Sequence, residues 1–286
     1  MKYNIRKNWT ETVELMAKNP RVLMPFIFIA FFEILALELI YFSPRWPISL
    51  VVDPIVKKFF GEGLTHYPAH LAILGKLFYY SQIFIYISVS VFLTAVTVQI
   101  FKNTKAGLPV ITGAVIKNVA KRYFSFMAYG ILFIALMMVI EKGSGFVFFK
   151  ATRFISRLIP QIPIRVFGLA SILGVFFLNV ILQAFMISVV PLIVLANKPL
   201  VKAVVRSVTL AVKNFPTIIG LVLLPYLVYL PVVLLKSFSG AIMDKTVPES
   251  VVLVTVLGSV LSIFIDCFVI LVAAQFVADK ELGVGS

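Results

Sequence analysis

The sequence has a single cysteine, Cys267, among its 286 residues, so no intrachain disulfide can form. Charged residues are scarce, at 13%, which is too few for the surface of an ordinary soluble domain. The HExxH, GxSxG, Walker A and GxGxxG patterns of common enzyme sites are missing from the sequence. These absences argue against a soluble enzyme, and we expect no catalytic residues and no cofactor.

Histidine is nearly as rare as cysteine. The two histidines, His66 and His70, have the i, i+4 spacing of a helical metal site and lie near Glu62. Pro68 lies between them and would break the helix that aligns their side chains. The sequence therefore predicts no metal site.

Apolar residues dominate what is present, at 61% with a mean hydropathy of +1.05. Six segments have the length and composition to cross about 30 Å of hydrocarbon. They are Val22–Phe42, Leu77–Phe101, Tyr123–Ile140, Val166–Leu195, Pro216–Leu235 and Val251–Ala278. The sequence predicts an all-α, multi-pass bundle of about six transmembrane helices that forms one integral membrane domain over residues 1–286.

A basic amphipathic stretch precedes every second predicted span. The clearest match joins Val13–Asn19 to Val208–Asn214, and a weaker copy lies around Ile116–Arg122. A period of about 100 residues predicts three two-span repeats. Their approximate bounds are 1–101, 102–196 and 197–286. Two spans per repeat return the chain to the same side, and the Lys and Arg excess there predicts a cell-membrane protein with both termini in the cytoplasm.

Basic side chains form stripes on two amphipathic segments, residues 200–213 and, across the membrane, Phe146–Ile159. The stripes consist of Lys202, Arg206 and Lys213 on the first segment and Lys150, Arg153 and Arg157 on the second. They either extend into the headgroup region and set topology, or bind anionic lipid headgroups at about 1 kcal/mol per residue. A membrane protein partner is also possible, whereas nucleic acid is disfavoured because no soluble basic domain is attached.

Polar residues also occur near the middle of the predicted spans. At 1.5 Å per residue, Glu33 and Asp266 fall near the midplane, and no Lys or Arg lies at their depth. Three further polar residues lie at similar depths, namely Ser90, Gln183 and Tyr226. An intramembrane carboxyl costs about 2.5–3.5 kcal/mol, so its presence suggests a substrate or proton role. The alternative is a neutral acid that holds helices together by hydrogen bonds.

Two stretches of the sequence carry a family resemblance. The first is Trp9–Pro25; the second is Pro191–Val194 followed by Lys202–Ser207, Lys213–Phe215 and an apolar span. With these features the chain resembles a group of prokaryotic six-span membrane proteins of largely unknown role, similar to the membrane domain joined to some glycerophosphodiester phosphodiesterases. The resemblance implies an accessory module with a lipid or envelope function. The phosphodiesterase barrel is missing, so that activity is not implied.

Three interpretations of function follow. The first is a non-enzymatic accessory or scaffold protein that engages lipid headgroups or a membrane partner. The second is a transporter or lipid-moving protein that uses the midplane polar residues. The third is a structural subunit of a larger membrane complex. Transport predicts that Glu33 and Asp266 converge on a cavity, whereas a scaffold predicts a filled bundle.

Overall fold

The computed structural model describes residues 5–62, 71–158, 164–238, 247 and 249–282. Within these ranges every regular element is a helix. The α-helices are α1 Ile5–Lys18, α2 Met24–Tyr41, α3 Ser49–Phe60, α4 Leu71–Ile85, α5 Val91–Lys105, α6 Thr112–Ala120, α7 Tyr123–Leu158, α8 Ile164–Met186, α9 Val189–Val194, α10 Leu200–Lys213, α11 Phe215–Ser237 and α12 Ser250–Val277. His66 and His70 lie outside the described residues, so the absence of a metal site there stays a prediction.

Six helical runs are long and apolar enough to cross a membrane. We number them spans 1 to 6: Pro20–Tyr41, Ile73–Lys105, Tyr123–Phe154, Val166–Val194, Phe215–Ser237 and Ser250–Glu281. Large apolar side chains such as Phe31, Phe84 and Leu253 are more than half exposed on the outside of the bundle, as expected of a surface in contact with lipid. The prediction of an all-α, multi-pass membrane protein is confirmed.

The six spans form a ring in chain order. Each span packs against the one before it and the one after it, and span 6 packs against span 1. At one end of the ring, α5, α9 and α12 pack against each other across the interior. Val98, Leu192 and Leu271 are fully buried there. The ring is therefore filled at this end, which we call the near side.

The short helices α1, α6 and α10 all lie on the near side. A contact of 3.8 Å joins Glu11 of α1 to Lys105 at the end of span 2. Arg21 donates a hydrogen bond of 3.5 Å to the carbonyl of Val110, just before α6. A short helix thus precedes spans 1, 3 and 5, which is the order that the repeat hypothesis requires. The common origin of the three units, and the cytoplasmic location of this side, stay predictions.

The segment Phe146–Ile159 does not form a separate interfacial helix. Instead α7 continues from Tyr123 to Leu158, a run of 36 residues or about 54 Å. The apolar run ends at Glu141, but the helix continues because α8 packs along it, with Phe148 seated on the bare backbone of Gly174. The basic end of α7 therefore extends span 3 beyond the hydrocarbon, on the far side from α1.

Candidate functional site

All six spans contribute to a cavity of about 210 Å³ inside the ring, the inner chamber. Its wall contains all five midplane residues predicted from the sequence: Glu33, Ser90, Gln183, Tyr226 and Asp266. The chamber is smaller than the roughly 300–1,000 Å³ of pockets for drug-sized ligands. It therefore has room for a small solute with a few waters.

A second cavity of about 230 Å³, the outer chamber, adjoins the inner one towards the far side. Four residues line both chambers, namely Glu33, Tyr226, Ser262 and Asp266. The outer chamber is completed by Gln82, Tyr229, Ser259 and Ile265. The two intramembrane carboxyls thus lie at the boundary between the chambers, on the adjacent spans 1 and 6.

Tyr226 links three spans through its hydroxyl. It donates a hydrogen bond of 2.5 Å to Oδ1 of Asp266 on span 6. It accepts one of 2.6 Å from Nε2 of Gln183 on span 4. Because the single hydroxyl proton is directed at the carboxyl, the amide of Gln183 must supply the other bond. Tyr226 is therefore fixed in orientation at the boundary.

The hydrogen bond to the carboxyl of Glu33 is longer than the one to the carboxyl of Asp266. The Glu33 carboxyl accepts a hydrogen bond of 3.3 Å from Nε2 of Gln82 on span 2. Ser259 lies beside the same carboxyl and is only 3% exposed. Its hydroxyl makes no well-formed hydrogen bond to the described residues. The Ser259 hydroxyl therefore interacts with the Glu33 carboxyl in a geometry that falls short of a well-formed hydrogen bond.

No Lys or Arg lies at the depth of Glu33 in the sequence, but one lysine side chain approaches this carboxyl from the end of its helix. Lys236, in the last turn of α11, lies close enough for its charge to act on Glu33. Its side chain crosses α12 at Gly258, where a Cβ atom would come within 3.2 Å of the lysine Nζ. The depth count missed this approach because a long lysine side chain reaches away from its own backbone position.

A π-helical turn at Tyr86–Ser90 shapes the chamber wall on span 2. Tyr86 and Ser90 both line the inner chamber. Gly130 of α7 packs onto the turn so closely that a Cβ atom there would lie 3.2 Å from the Cα of Ile87. Such turns are frequent at functional sites because they change which side chains face inward.

An aromatic wall forms one side of the inner chamber. It consists of Tyr86, Tyr129 and Phe133. The ring centroids of Tyr86 and Phe133 are 5.7 Å apart, and those of Tyr129 and Phe133 are 6.1 Å apart. The Tyr129 hydroxyl donates a hydrogen bond of 3.1 Å to the carbonyl of Met186, which holds this ring in place in the wall.

Sequence reasoning missed the aromatic wall and five of the eight residues that line the outer chamber, although a signal exists for some of them. On span 2, Gln82, Tyr86, Ser90 and Thr94 recur every four residues. On span 6, Ser259, Ser262 and Asp266 recur at intervals of three and four. Such spacing puts polar residues on one face of a helix. A search for polar stripes along whole spans would have found these residues, whereas a search at one depth did not.

The basic residues predicted to bind headgroups do not form one site. On α10, Lys202 and Lys213 are exposed, whereas Arg206 contacts the carboxylate of Glu281 at 2.6 Å. Glu281 also pairs with Lys198. Arg206 therefore shares one carboxylate with Lys198 inside the protein, and headgroup binding by Arg206, as by Lys202 and Lys213, stays a prediction.

The basic stripe at the far end of α7 is only partly described. Lys150 and Arg153 are exposed, and the ammonium group of Lys150 lies 4.3 Å from the ring centroid of Phe146. The side chain of Arg157 lies outside the described side chains. Headgroup binding by this stripe stays a prediction.

No family model, curated protein or solved structure matches the chain. The resemblance to the membrane domain of some glycerophosphodiester phosphodiesterases therefore stays a prediction. The two chambers are what the structure offers as a basis for function.

Proposed function

We propose that the protein is a transporter that carries a small solute through the helix ring, with the two chambers as its binding site. One observation carries this proposal: Glu33 and Asp266 both line two adjoining chambers, the inner of which is lined by all six spans. A carboxyl in the membrane is expensive and usually serves a substrate or ion pathway. A scaffold has no need of a cavity at the same depth. We therefore rank transport above the accessory role.

The near side of the inner chamber supplies a candidate gate. Span 4 is broken between α8 and α9, and all six residues of Val189–Val194 in α9 are buried. Arg122 donates a hydrogen bond of 2.7 Å to the carbonyl of Ile193, and Lys102 donates one of 3.3 Å to that of Val194. Broken helices beside a midplane site are common in transporters. Movement of α9 would connect the chamber to the near side.

The test is solute flux in proteoliposomes. The purified full-length chain is reconstituted, and uptake of a panel of small cationic, neutral and anionic solutes is measured with and without an imposed proton gradient. We expect uptake of at least one solute class by wild type and a loss of tenfold or more in Asp266→Asn and Glu33→Gln. Glu38→Gln, an exposed position on the same helix as Glu33, is the matched control and should behave as wild type.

Thermal unfolding of the same variants distinguishes transport from packing. Lost flux with unchanged stability supports a role in transport. If wild type moves none of the solutes and the two chamber variants lose stability, the carboxyls serve helix packing and the proposal fails.

A specific observation also favours a second role, contact with anionic headgroups on the near side. The exposed Lys202 and Lys213 adjoin a row of exposed valines on α10, Val201, Val205 and Val212, which are 74%, 62% and 63% exposed. An exposed apolar row beside exposed lysines suits a helix that lies in the interface. This role is compatible with transport.

A further inference from the structure

We propose that the transported solute is a small organic cation, such as an alkylammonium or guanidinium ion, held in the inner chamber between Asp266 and the aromatic wall. The proposal rests on the proposed transport function and names its substrate class. It is argued from charge, from the chemistry of the wall and from size.

Acidic side chains, and no basic ones, line the two chambers among the described residues. Their described lining residues include two carboxyls and no lysine, arginine or histidine. Lys236 lies near Glu33, so that carboxyl already has a cation in its surroundings. Asp266 receives a hydrogen bond from Tyr226 but forms no ion pair with any described residue. Because an ionised carboxyl is stable away from water only when it is paired, a monovalent cation is the complementary ligand.

The chemistry of the wall selects an organic cation over a metal ion. Ca²⁺ and Mg²⁺ take six or more oxygen ligands from carboxylates, carbonyls and water. The inner chamber is instead lined by three aromatic residues, Tyr86, Tyr129 and Phe133, together with apolar side chains such as Ile29 and Ile263. An ammonium or guanidinium ion is attracted to aromatic faces, and its alkyl groups fit apolar surface.

The size of the chamber agrees with this choice. Liquid water occupies about 30 Å³ per molecule, so a cavity of about 210 Å³ is far larger than one desolvated metal ion requires. It accommodates a cation of several heavy atoms. Towards the outer chamber, the buried hydroxyl of Ser259 beside the Glu33 carboxyl has oxygen lone pairs suited to an N–H group on the ligand.

The test is direct binding to the full-length protein in nanodiscs of zwitterionic lipid, which removes any contribution from anionic headgroups. Thermal stabilisation is measured with methylammonium, guanidinium and tetramethylammonium chloride. Tert-butanol serves as a neutral probe of similar shape to tetramethylammonium, and sodium acetate serves as an anion. We expect saturable stabilisation by at least one organic cation at millimolar concentration, and none by sodium acetate or tert-butanol.

Variants then locate the site. Asp266→Asn should weaken cation binding at least tenfold, whereas Glu38→Gln should leave it unchanged. Phe133→Leu keeps an apolar side chain but removes a ring face, and should weaken tetramethylammonium binding about threefold. Equal stabilisation by tert-butanol, stabilisation only at molar salt, or unchanged cation binding in Asp266→Asn would overturn the proposal. The probe comparison uses wild type, so it stands even if a variant fails to fold.

Binding and flux separate this proposal from the transport function on which it rests. Saturable cation binding without flux in proteoliposomes would contradict transport and leave the cation site standing. Flux of a neutral or anionic solute that these cations do not inhibit would contradict the substrate class and leave transport standing.

Discussion

At the scale of single residues, Tyr226 connects more spans by hydrogen bonds than either carboxyl does. Its hydroxyl contacts Gln183 and Asp266 at once, so it connects spans 4, 5 and 6 at the boundary of the chambers. Hydrogen bonds between membrane helices contribute modestly, about 0.6 kcal/mol on average and up to about 1.7 kcal/mol. Because both bonds use the Tyr226 oxygen, loss of this hydroxyl should weaken the packing among spans 4, 5 and 6.

We predict that Tyr226→Phe destabilises the protein by about 1–2 kcal/mol, because it removes both hydrogen bonds but keeps the ring. Thermal unfolding in detergent measures this change. Tyr229→Phe is the matched control: Tyr229 lies on the same helix and lines the outer chamber, and no hydrogen bond of its hydroxyl is recorded in the described structure. Equal effects of the two substitutions would contradict the central role of Tyr226.

The sequence identifies which of these polar residues share a depth, but not which way they face. Glu33, Ser90, Gln183, Tyr226 and Asp266 were predicted as one belt because rise per residue converts position into depth. Convergence on one chamber depends on the rotation of each helix about its axis, which packing against neighbouring helices determines.

At the scale of elements, the contact between α7 and the π-helical turn of span 2 fixes one wall of the inner chamber. The turn brings Tyr86 and Ser90 to the wall, and Gly130 lets the α7 backbone approach. Close approach through small residues is a usual means of packing membrane helices. No periodicity in the sequence distinguishes this glycine from the others on α7.

We predict that Gly130→Ala destabilises the protein by about 1–3 kcal/mol, because the added methyl group meets backbone that cannot yield without moving the helix. Gly143→Ala on the same helix has open space around the new methyl group. It should be neutral or stabilising by up to about 1 kcal/mol, since alanine favours the helix. Thermal unfolding and the affinity for the stabilising cation are measured for both. Equal stability of the two variants would argue against a tight contact.

We predict that the double variant Lys202→Gln and Lys213→Gln retains less anionic lipid than wild type, because both ammonium groups are exposed beside the apolar row of α10. Native mass spectrometry measures the retained lipid. Arg206→Gln should instead reduce thermal stability, since Glu281 loses a partner. Lipid retention that falls with Arg206→Gln alone would reverse these assignments.

At the scale of the whole molecule, the three short helices define a common side. We predict that single cysteines at Lys18, Lys121 and Lys213, each exposed, react with a membrane-impermeant thiol reagent from the same side. The native thiol of Cys267 is fully buried, and Cys267→Ser removes it from the assay. A cysteine at Lys58 on α3, across the membrane, should react only from the opposite side. Mixed accessibility among the first three positions would contradict the arrangement.

Hydropathy predicts the number of spans and most of their bounds, since six long apolar runs leave few alternatives. It does not predict that span 3 continues beyond Ile140 as one helix to Leu158. Packing against α8 stabilises that extension, and a hydropathy profile contains no information about contacts between helices. Nor does it predict the ring, because closure depends on the contact between α2 and α12, which lie far apart in the sequence. The chambers form only when that contact closes the ring, so hydropathy does not predict them either.

The closure of the ring between its first and last spans has a consequence for biogenesis. Glu33 enters the membrane with span 1, but Asp266 arrives only with span 6, after more than 200 further residues have been synthesised. At about 5–20 residues per second this interval lasts on the order of 10–50 s. Throughout it, the first carboxyl lacks its neighbours on span 6, Ser259 and Asp266. The chambers that Glu33 and Asp266 line are among the last features of the protein to form.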